Sequence, residues 1–481
     1  MKRCAFSLFG RPTGFLLILL LAFPALYALS PTEGSPRILL PGRSIWPMDR
    51  EWTFKIPYLG SRPTHWAIKR LPEGFTFDSH EGIIRGRASS RIVFEFEISA
   101  ANESGADSCI WQVEVSRYNG LAPVMGWSTR WLKEKEINEQ TILDVADAMQ
   151  SKGLVAAGYN HIIIESHWQT SVRDSDGRIK ADPLRFPNGI KHLADELHRR
   201  GMRLGLSSNA SPLNVHGLSG SFEKEAIDAA TFSEWGVDFI KYDYCCSPPI
   251  SIVAQQRYGA MGRALAATGR PPFFSVCEWG ELMPWSWGVT VRAGSWRTSF
   301  DIQDKWKAGR YSKRDNGIWD AAMINLRYAQ HANRGRAISD PDLLLIGSPS
   351  NGCTAEEYHA QMQMWAMMRA PLVFAADPRS VSAEAVVLLT HPDLIAVDQD
   401  ASFRNIVEER RADGTHLWTR QLTKGTAVLV VNAGESPTTT SIASRPDSSS
   451  AWDVSRAAYV SPSDLERIIL SPHAARLFIF E

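Results

Sequence analysis

A lysine and an aspartate two residues apart are the side chains in this sequence best placed to do chemistry. Lys241 and Asp243 end a largely apolar run, residues 237–240, that is typical of a short buried strand. Side chains alternate across a strand, so both groups would share one face, where the ammonium group would keep the carboxylate ionised. A carboxylate at the carboxyl end of a parallel strand can act as a nucleophile, although a structural ion pair has the same pattern.

Other strand-like segments also end in polar or aromatic residues. These residues are Trp127, Glu165, Ser166, Cys277, Trp279, Arg297, Asp301, Asp340 and Asp342. Two carboxylates in a tryptophan-lined pocket favour glycoside hydrolysis, in which one attacks the sugar or activates water and the other supplies a proton. The set contains no serine–histidine pair and no cluster of metal ligands, so the sequence predicts neither a metal site nor another cofactor.

The segments that carry these residues alternate between strands and helices from residue 119 to residue 400. Predicted strands include residues 159–164, 203–208 and 343–346, and predicted helices include residues 190–200 and 223–236. Repeated strand–helix units without a glycine-rich phosphate loop predict an α/β catalytic domain folded as a TIM (β/α)8 barrel. In such a barrel the functional residues lie at the carboxyl ends of the strands.

Short alternating apolar runs separated by Gly, Pro and Asn flank this region on both sides. Residues 31–118 predict an N-terminal β-sandwich, and the pattern between Leu71 and Gly86 resembles immunoglobulin-like modules of exported bacterial proteins. Residues 401–481 predict a C-terminal antiparallel β-sandwich.

The composition excludes some classes of partner. The 481 residues include 52 Lys and Arg and 52 Asp and Glu, so no excess charge indicates nucleic acid or an anionic membrane surface as a partner. The 17 tryptophans suit a carbohydrate cleft, although most of them are expected to pack in cores. Five of the six cysteines lie after residue 30, an odd number, so at least one thiol should be free.

Residues 1–30 have the pattern of a secretory signal peptide. Lys2 and Arg3 precede an apolar stretch at residues 14–23, and Ala28 and Ser30 offer small residues for cleavage. The apolar stretch is short for a membrane span, so we expect a secreted or periplasmic bacterial protein with no stable membrane insertion after cleavage. An uncleaved membrane anchor is the alternative.

Short motifs follow one another in a fixed order between residues 120 and 400. They include Met125-Gly126-Trp127-Ser128, Lys241-Tyr242-Asp243, Cys277-Glu278-Trp279-Gly280, Ser295-Trp296-Arg297-Thr298, Asp301-Ile302 and Asp340-Pro341-Asp342. As an ordered set, they resemble the motifs of the α-galactosidases of glycoside hydrolase family 27.

The resemblance implies a retaining glycosidase that cleaves terminal α-D-galactosides of an oligo- or polysaccharide. It implies Asp243 as the nucleophile and Asp301 as the acid/base. The sugar-binding positions that it implies are Trp127, Lys241, Cys277, Trp279, Arg297 and Asp342. Asp301 must be protonated to assist the leaving group, and we expect nearby carboxylates to raise its pKa. Asp304 is a rival for the acid role, and Cys277 could equally be a structural thiol.

Glu165 and Ser166 depart from the family pattern, which has two aspartates that contact O4 and O6 of galactose. Ser166 lacks the charge of an aspartate and makes weaker hydrogen bonds, which predicts relaxed or altered specificity, for β-L-arabinopyranosides or another α-glycoside. A non-catalytic carbohydrate-binding protein is the alternative from another class. The family cysteine that would pair with Cys245 is also absent, so Cys245 should be free or joined to Cys246.

Overall fold

The structure of the chain is a computed structural model. It describes residues 34–38, 40, 43–47, 51–90, 92–116, 122–308, 314–329, 337–402, 404–442 and 451–480. The predicted signal peptide, residues 1–30, lies outside the described residues.

The described N-terminal residues form short strands in two main sheets. The strands are β1 (Arg37–Ile38), β2 (Arg43–Pro47), β3 (Glu51–Lys55), β4 (Tyr58–Leu59), β5 (His65–Lys69), β6 (Phe75–Asp78), β7 (Ile83–Arg87), β8 (Ile92–Asn102) and β9 (Gly105–Ser116). One sheet has the order β2-β9-β8-β5, the other has the order β3-β7-β6, and β1 pairs with β4. Trp46 and Phe96 of the first sheet pack in one buried cluster with Phe75 and Ile84 of the second, as expected for a β-sandwich.

The next eight strands are parallel and form the centre of the molecule. They are β10 (Met125–Ser128), β11 (His161–Ile164), β12 (Arg203–Asn209), β13 (Phe239–Asp243), β14 (Phe273–Cys277), β15 (Ser295–Arg297), β16 (Ile338–Asp340) and β17 (Leu372–Phe374). They pair in chain order from β10 to β16, and β17 pairs with β10. A bridge between Leu344, four residues after the end of β16, and Phe374 of β17 closes the barrel.

Helices lie between these strands. They are α1 (Glu139–Ser151), α2 (Gly189–Arg199), α3 (Glu225–Glu234), α4 (Ser251–Ala267), α5 (Pro284–Trp287), α6 (Ile318–Ala329) and α7 (Ala355–Met368), followed after β17 by α8 (Ala383–Leu389) and α9 (Pro392–Gln399). Two short 3₁₀ helices, Thr129–Trp131 and Glu134–Glu136, follow β10. The alternation confirms the barrel that the sequence predicts.

Hydrophobic periodicity located β11, β12, α2 and α3 to within two residues. The four residues of β11 are buried, because a barrel strand is covered on both faces. Helix α2 buries Ile190, Leu193, Ala194 and Leu197, which recur with the helical period, and Gly201 follows its end with a φ of 73°.

The predicted strand at residues 343–346 is wrong. The seventh barrel strand is β16, which ends immediately before Pro341. A proline has no N–H to donate to a ladder, so regular pairing stops there, and Leu344 makes only the single closing bridge.

The N-terminal sheets contact the barrel at the amino ends of its strands. Arg203, the first residue of β12, donates from Nη2 to the Thr53 carbonyl at 2.7 Å, and its guanidinium lies 5.2 Å from the Trp52 ring centroid. The Tyr58 N–H donates to the Ala156 carbonyl at 2.6 Å. The N-terminal module therefore lies at the face of the barrel opposite to the strand ends that carry the predicted site.

The C-terminal residues form antiparallel sheets. Their elements are β18 (Val407–Arg410), β19 (Thr415–Gln421), β20 (Thr426–Asn432), β21 (Thr438–Thr440), β22 (Ala451–Asp453), β23 (Ala458–Val460), α10 (Pro462–Leu465), β24 (Ile468–Leu470) and β25 (Ala475–Phe480). Arg420 of β19 is buried and donates to the Met367 carbonyl of α7 at 2.7 Å, which fastens this region to the barrel. The boundaries of the flanking domains, at residues 118 and 400, stay predictions.

Within the part of the chain that the structure describes, none of the helices has the length and apolar character that a membrane span requires.

Candidate active site

Parallel pairing brings the predicted site residues to one end of the barrel. Asn209 of β12, Asp243 of β13 and Cys277 of β14 are direct neighbours across three consecutive strands. Arg297 of β15 pairs in the same way with Asp340 of β16. Five strand ends thus contribute polar side chains to a single region, at the face where barrel enzymes carry their active sites.

Asp243 is the best-supported candidate for a nucleophile. Its Oδ1 lies 3.5 Å from Lys241 Nζ, and the Cys277 thiol donates a hydrogen bond to the carboxylate. Burial raises the pKa of Asp243 above its ordinary value, while Lys241 and the thiol act against that rise. Cys277 is 2% exposed, so it acts through Asp243 and is not part of the open surface of the pocket.

Lys241 is shared between two carboxylates. Its closest partner is Glu165, which also accepts a hydrogen bond from Ser128 Oγ at 3.0 Å. Burial raises the pKa of Glu165, but Lys241 and Arg130 together lower it below the ordinary value. Burial lowers the pKa of Lys241, and Asp243 and Glu165 more than reverse this, so the ammonium form is held.

Ser166 offers a neutral group beside this ion pair. Its hydroxyl accepts a hydrogen bond from Asn214 Nδ2 at 3.1 Å, and both residues line the same cavity as Asp243. The wall next to Glu165 is therefore built from a hydroxyl and an amide, where the family pattern has a second carboxylate.

Asp301 lies in the loop after β15 and is held from three sides. Arg130 Nη2 lies 2.5 Å from its Oδ2, while Trp279 Nε1 and Arg297 Nη2 lie 3.2 Å and 3.3 Å from its Oδ1. Burial raises the pKa of this carboxyl, but Arg297 and Arg130 outweigh burial and lower the pKa to about 2. The expectation that neighbouring carboxylates raise the pKa of Asp301 is thus wrong in this structure, because two guanidinium groups are nearer.

Arg297 is a buried cation that organises the loop beyond β16. Its Nη2 lies 2.8 Å from Asp342 Oδ2, and the same carboxylate accepts the Ile302 N–H at 2.9 Å. Asp342 has a φ of 91°, a strained conformation for a residue with a side chain, and it lines the open pocket. Burial raises the pKa of the adjacent Asp340 to about 6 despite the nearby Arg297.

Asp304, the rival for the acid role, has structural partners. Its carboxylate accepts hydrogen bonds from Tyr358 Oη and the Gly352 N–H, each at 2.8 Å, and from Ser350. These contacts lower the pKa of Asp304, although burial raises it. We conclude that Asp304 fixes the loop that follows β16.

Trp127, a predicted sugar-binding residue, is buried more deeply than the other residues of that set. Its ring is fully buried in the barrel core, and its Nε1 donates to the Ala376 carbonyl at 2.9 Å. A tryptophan on a barrel strand can face the pocket or the core, and the described contacts of this one lie in the core, so its role in sugar binding stays a prediction. Trp279 does reach the site, where it stacks on Phe300 with ring centroids 5.9 Å apart.

A glycine allows Trp279 to approach Asp301. Gly280 has a φ of 76°, and a Cβ atom at this position would lie 2.2 Å from the Thr298 carbonyl oxygen. Only glycine fits there without moving the backbone, so the motif Cys277-Glu278-Trp279-Gly280 packs the end of β14 closely against the end of β15.

Two neighbouring cavities, which share Arg130, Trp279 and Asp301 in their linings, contain these groups. The inner one, about 270 Å³, holds both candidate catalytic carboxylates, and the outer one, about 910 Å³, opens beside Asp301. The inner cavity is lined by residues that include Glu165, Ser166, Asn209, Asn214, Lys241, Asp243, Trp279 and Asp301. Its volume suits one sugar ring, and the outer cavity has room for a leaving group.

Sequence reasoning missed Arg130 and gave Glu278 no role. Arg130 lines both cavities, but nothing in its local sequence indicates a partner 171 residues away. Glu278 accepts the Leu282 N–H at 2.6 Å, and burial raises its pKa to about 8. Its position between two predicted site residues at a strand end was the available signal.

Cys245 and Cys246 do not form a disulfide with each other. Both are free thiols, as are Cys109, Cys277 and Cys353, and Asn209 Nδ2 donates to Cys245 Sγ at 2.7 Å. In the described ranges, the structure brings together no group of three potential metal ligands.

Fold and site together define the class: a glycosidase built on a TIM barrel, with two carboxylates in different surroundings in one sugar-sized cavity. A family model described as alpha galactosidase A matches residues 130–400, more than half of the chain. Alpha-galactosidase 2 of Arabidopsis thaliana is 38% identical over 320 residues, which cover 66% of this chain and 77% of that relative. The chain belongs to this α-galactosidase family, glycoside hydrolase family 27.

Solved structures agree with this assignment. A crystal structure of a candidate α-galactosidase from Bacteroides fragilis matches with a TM-score of 0.88 and 35% identity, covering 94% of this chain and 99% of that chain. α-Galactosidase I of Mortierella vinacea matches with a TM-score of 0.68 and 31% identity, covering 75% of this chain and 98% of that chain.

Proposed function

We propose that the chain is a retaining glycosidase that releases terminal α-D-galactose from oligo- or polysaccharides, with Asp243 as nucleophile and Asp301 as acid/base. The observation that carries this proposal is the single inner cavity in which the two carboxylates meet. Asp243 is buried against Lys241 and the Cys277 thiol, while Asp301 faces the outer cavity where a leaving group would lie. Two carboxylates with such different surroundings suit two different roles.

The reaction has two displacements. In the first, an Asp243 oxygen bonds to the anomeric carbon, the glycosidic C–O bond breaks, and the Asp301 proton passes to the departing oxygen. In the second, Asp301 removes a proton from water, the water oxygen bonds to the anomeric carbon, and the bond to Asp243 breaks. Two inversions retain the α configuration of the sugar.

The charges of the site favour an uncharged sugar. Lys241 is paired with Glu165 and Asp243, and Arg297 with Asp342. A sugar that carries a carboxylate would have to separate one of these pairs at an electrostatic cost. The names of the family relatives support galactose, and Glu165 keeps one charged acceptor for a sugar hydroxyl.

A second substrate is favoured by Ser166. Its hydroxyl already accepts a hydrogen bond from Asn214. Ser166 therefore binds the exocyclic hydroxymethyl group of galactose less strongly than a carboxylate at this position would. A β-L-arabinopyranoside, which lacks that group and shares the remaining ring stereochemistry, is the alternative substrate that we propose.

A panel of nitrophenyl glycosides tests these proposals. We expect turnover of the α-D-galactoside with the α anomer as first product by NMR, lower turnover of the β-L-arabinopyranoside, and none with Asp243→Asn. Preference for the pentoside would make the second substrate the main one. Absence of turnover on any sugar would contradict the enzymatic proposal and leave a carbohydrate-binding protein.

We also propose that the chain is exported with residues 1–30 removed and that the N-terminal sandwich is an immunoglobulin-like module. The charged start, the apolar stretch at residues 14–23 and the small residues at positions 28 and 30 support export. N-terminal sequencing of protein recovered from the periplasm or medium should begin near residue 31. Recovery of full-length chain from the membrane fraction would instead support an uncleaved anchor.

A further inference from the structure

Asp301 is the candidate acid, yet the structure surrounds it with donors. Its Oδ2 accepts from Arg130, and its Oδ1 accepts from Trp279 and Arg297. A protonated carboxyl must itself donate one hydrogen bond, which it cannot do toward a guanidinium group. The observed contacts therefore fit the carboxylate form, whereas the first displacement needs the acid form.

Arg130 and Arg297 differ in how easily each side chain can move away from Asp301. The Arg297 side chain is 4% exposed and also bound to Asp342 at 2.8 Å, so moving it would break a buried pair. The Arg130 side chain is 47% exposed, and Asp301 is its hydrogen-bond partner among the residues that the structure describes. Its backbone N–H is bonded to Ser128 Oγ at 3.2 Å, so the backbone is anchored while the guanidinium can swing away.

Arg130 also lies where the substrate must pass. It lines both the inner and the outer cavity, next to Trp279 and Asp301, which is where the scissile bond of a bound galactoside would lie. A leaving group bonded to the Asp301 proton would occupy the position now held by the Arg130 guanidinium, so the two cannot hold the same carboxylate oxygen together.

We propose that Arg130 is a positioning residue that holds Asp301 as a carboxylate in the empty site and moves aside when substrate fills the cavity. The inference rests on the proposed retaining mechanism, in which Asp301 is the acid/base. Substrate binding would thus assemble the general acid, and the empty enzyme would keep it in the wrong form for the first displacement.

The proton balance is complete. When Arg130 leaves, Asp301 takes up one proton from solvent and gives it to the departing oxygen in the first displacement. It regains a proton from the attacking water in the second, and releases that proton to solvent when the sugar departs and Arg130 returns. No further reactant is needed.

The other charged and titratable groups that bear on this step remain in place. Those around Asp301 on the neighbouring strand ends are Glu165, Lys241, Asp243, Cys277, Arg297, Asp340 and Asp342. Arg297 and Lys241 lower the pKa of Asp301 whether or not Arg130 is present, so loss of Arg130 should raise that pKa only in part.

The test compares pH–rate profiles of wild type, Arg130→Gln and Arg130→Lys with nitrophenyl α-galactoside. The pH profile of kcat/KM reports the titration of Asp301 in the free enzyme, and the profile of kcat reports it in the complex. We expect Arg130→Gln to move the kcat/KM limb up by roughly one pH unit, since an opposite charge at this distance lowers a pKa by about 1–3 units. The kcat limb should stay in place, and Arg130→Lys should restore the wild-type profile.

Lys135→Gln is the matched control, because Lys135 is exposed in the same loop and should leave both limbs unmoved. Profiles of kcat/KM that coincide in wild type and Arg130→Gln would overturn the inference while leaving the glycosidase intact. Absence of turnover in every protein, wild type included, would instead reject the proposed function.

Calorimetry of galactose binding to wild type in buffers of different ionisation enthalpy gives a second readout, which does not depend on a variant that folds. We expect net proton uptake on sugar binding, which grows as the pH is lowered toward the pKa of Asp301. No proton uptake would contradict the inference.

Discussion

The two candidate catalytic carboxylates are held in opposite ways. Asp243 ends a buried strand, with a lysine and a thiol directed at it from the same and the neighbouring strand. Asp301 lies in a loop, its side chain 47% exposed, and its partners come from three separate strand–loop connections. The first arrangement fixes one protonation state, whereas the second leaves room for two, as an acid/base requires.

The largest expected effect on activity is at Asp243, the carboxylate held on the strand. Replacing Asp243 with Ala removes the atom that bonds to the sugar, so kcat should fall on the order of 10⁴-fold. Added azide should restore part of the activity and give a β-galactosyl azide, because the small anion attacks from the vacated side. NMR of the product checks this, and an α-linked azide would mean that the nucleophile lies elsewhere.

The loop carboxylate should show a dependence on the leaving group. Asp301→Asn cannot give a proton, which typically costs about 10²–10⁴-fold for an alkyl galactoside. A dinitrophenolate needs little protonation, so its release should suffer far less. Steady-state rates with both substrates test the assignment, and equal losses on both would count against Asp301 as the acid.

Lys241 should influence the pH dependence of activity through the pKa of Asp243. Burial raises the pKa of Asp243 and Lys241 lowers it, so Lys241→Met should raise that pKa further. The nucleophile must be ionised, so the limb of kcat/KM that Asp243 controls should move to higher pH. Lys191→Met, at an exposed position on α2, is the control and should not move the limb.

The last prediction concerns stability, at the buried carboxyl of Glu278 directly after β14. Burial raises the pKa of Glu278 from 4.5 to about 8, so between these values the unfolded chain is ionised there and the folded chain is not. The folded state then binds more protons, and its stability falls as pH rises through that window, by up to about 1.4 kcal/mol per unit of pKa shift.

In wild type the free energy of unfolding should therefore fall between pH 5 and pH 8. In Glu278→Gln it should fall less over the same range, as measured by denaturant titration. A variant that retains the full wild-type slope would show that Glu278 is ionised in the folded protein.

Sequence periodicity and ordered motifs were enough to predict the barrel and the strand ends. The pair Lys241 and Asp243 could be placed on one strand face from its spacing alone, and the structure brings its two charges within 3.5 Å. A period of two along one strand is local information, which survives without knowledge of the fold.

Long-range partners could not be predicted in the same way. Arg130 reaches Asp301 from another loop, and that contact reverses the expected direction of the Asp301 pKa shift. The burial of Trp127 could not be predicted for a related reason, since its motif does not say whether a strand residue faces the core or the cavity. The predicted role of Lys241 was also incomplete. The sequence indicated its pairing with Asp243, but its closest carboxylate, Glu165, follows a different strand.

Covalent trapping tests the central claim most directly. Incubation with 5-fluoro-α-D-galactosyl fluoride should slow the second displacement more than the first and let the galactosyl-enzyme accumulate. Mass spectrometry of the digested protein should then find one added 5-fluorogalactosyl group, on the peptide that contains Asp243. A label on any other carboxylate, or rapid turnover with inversion and no label, would contradict the account.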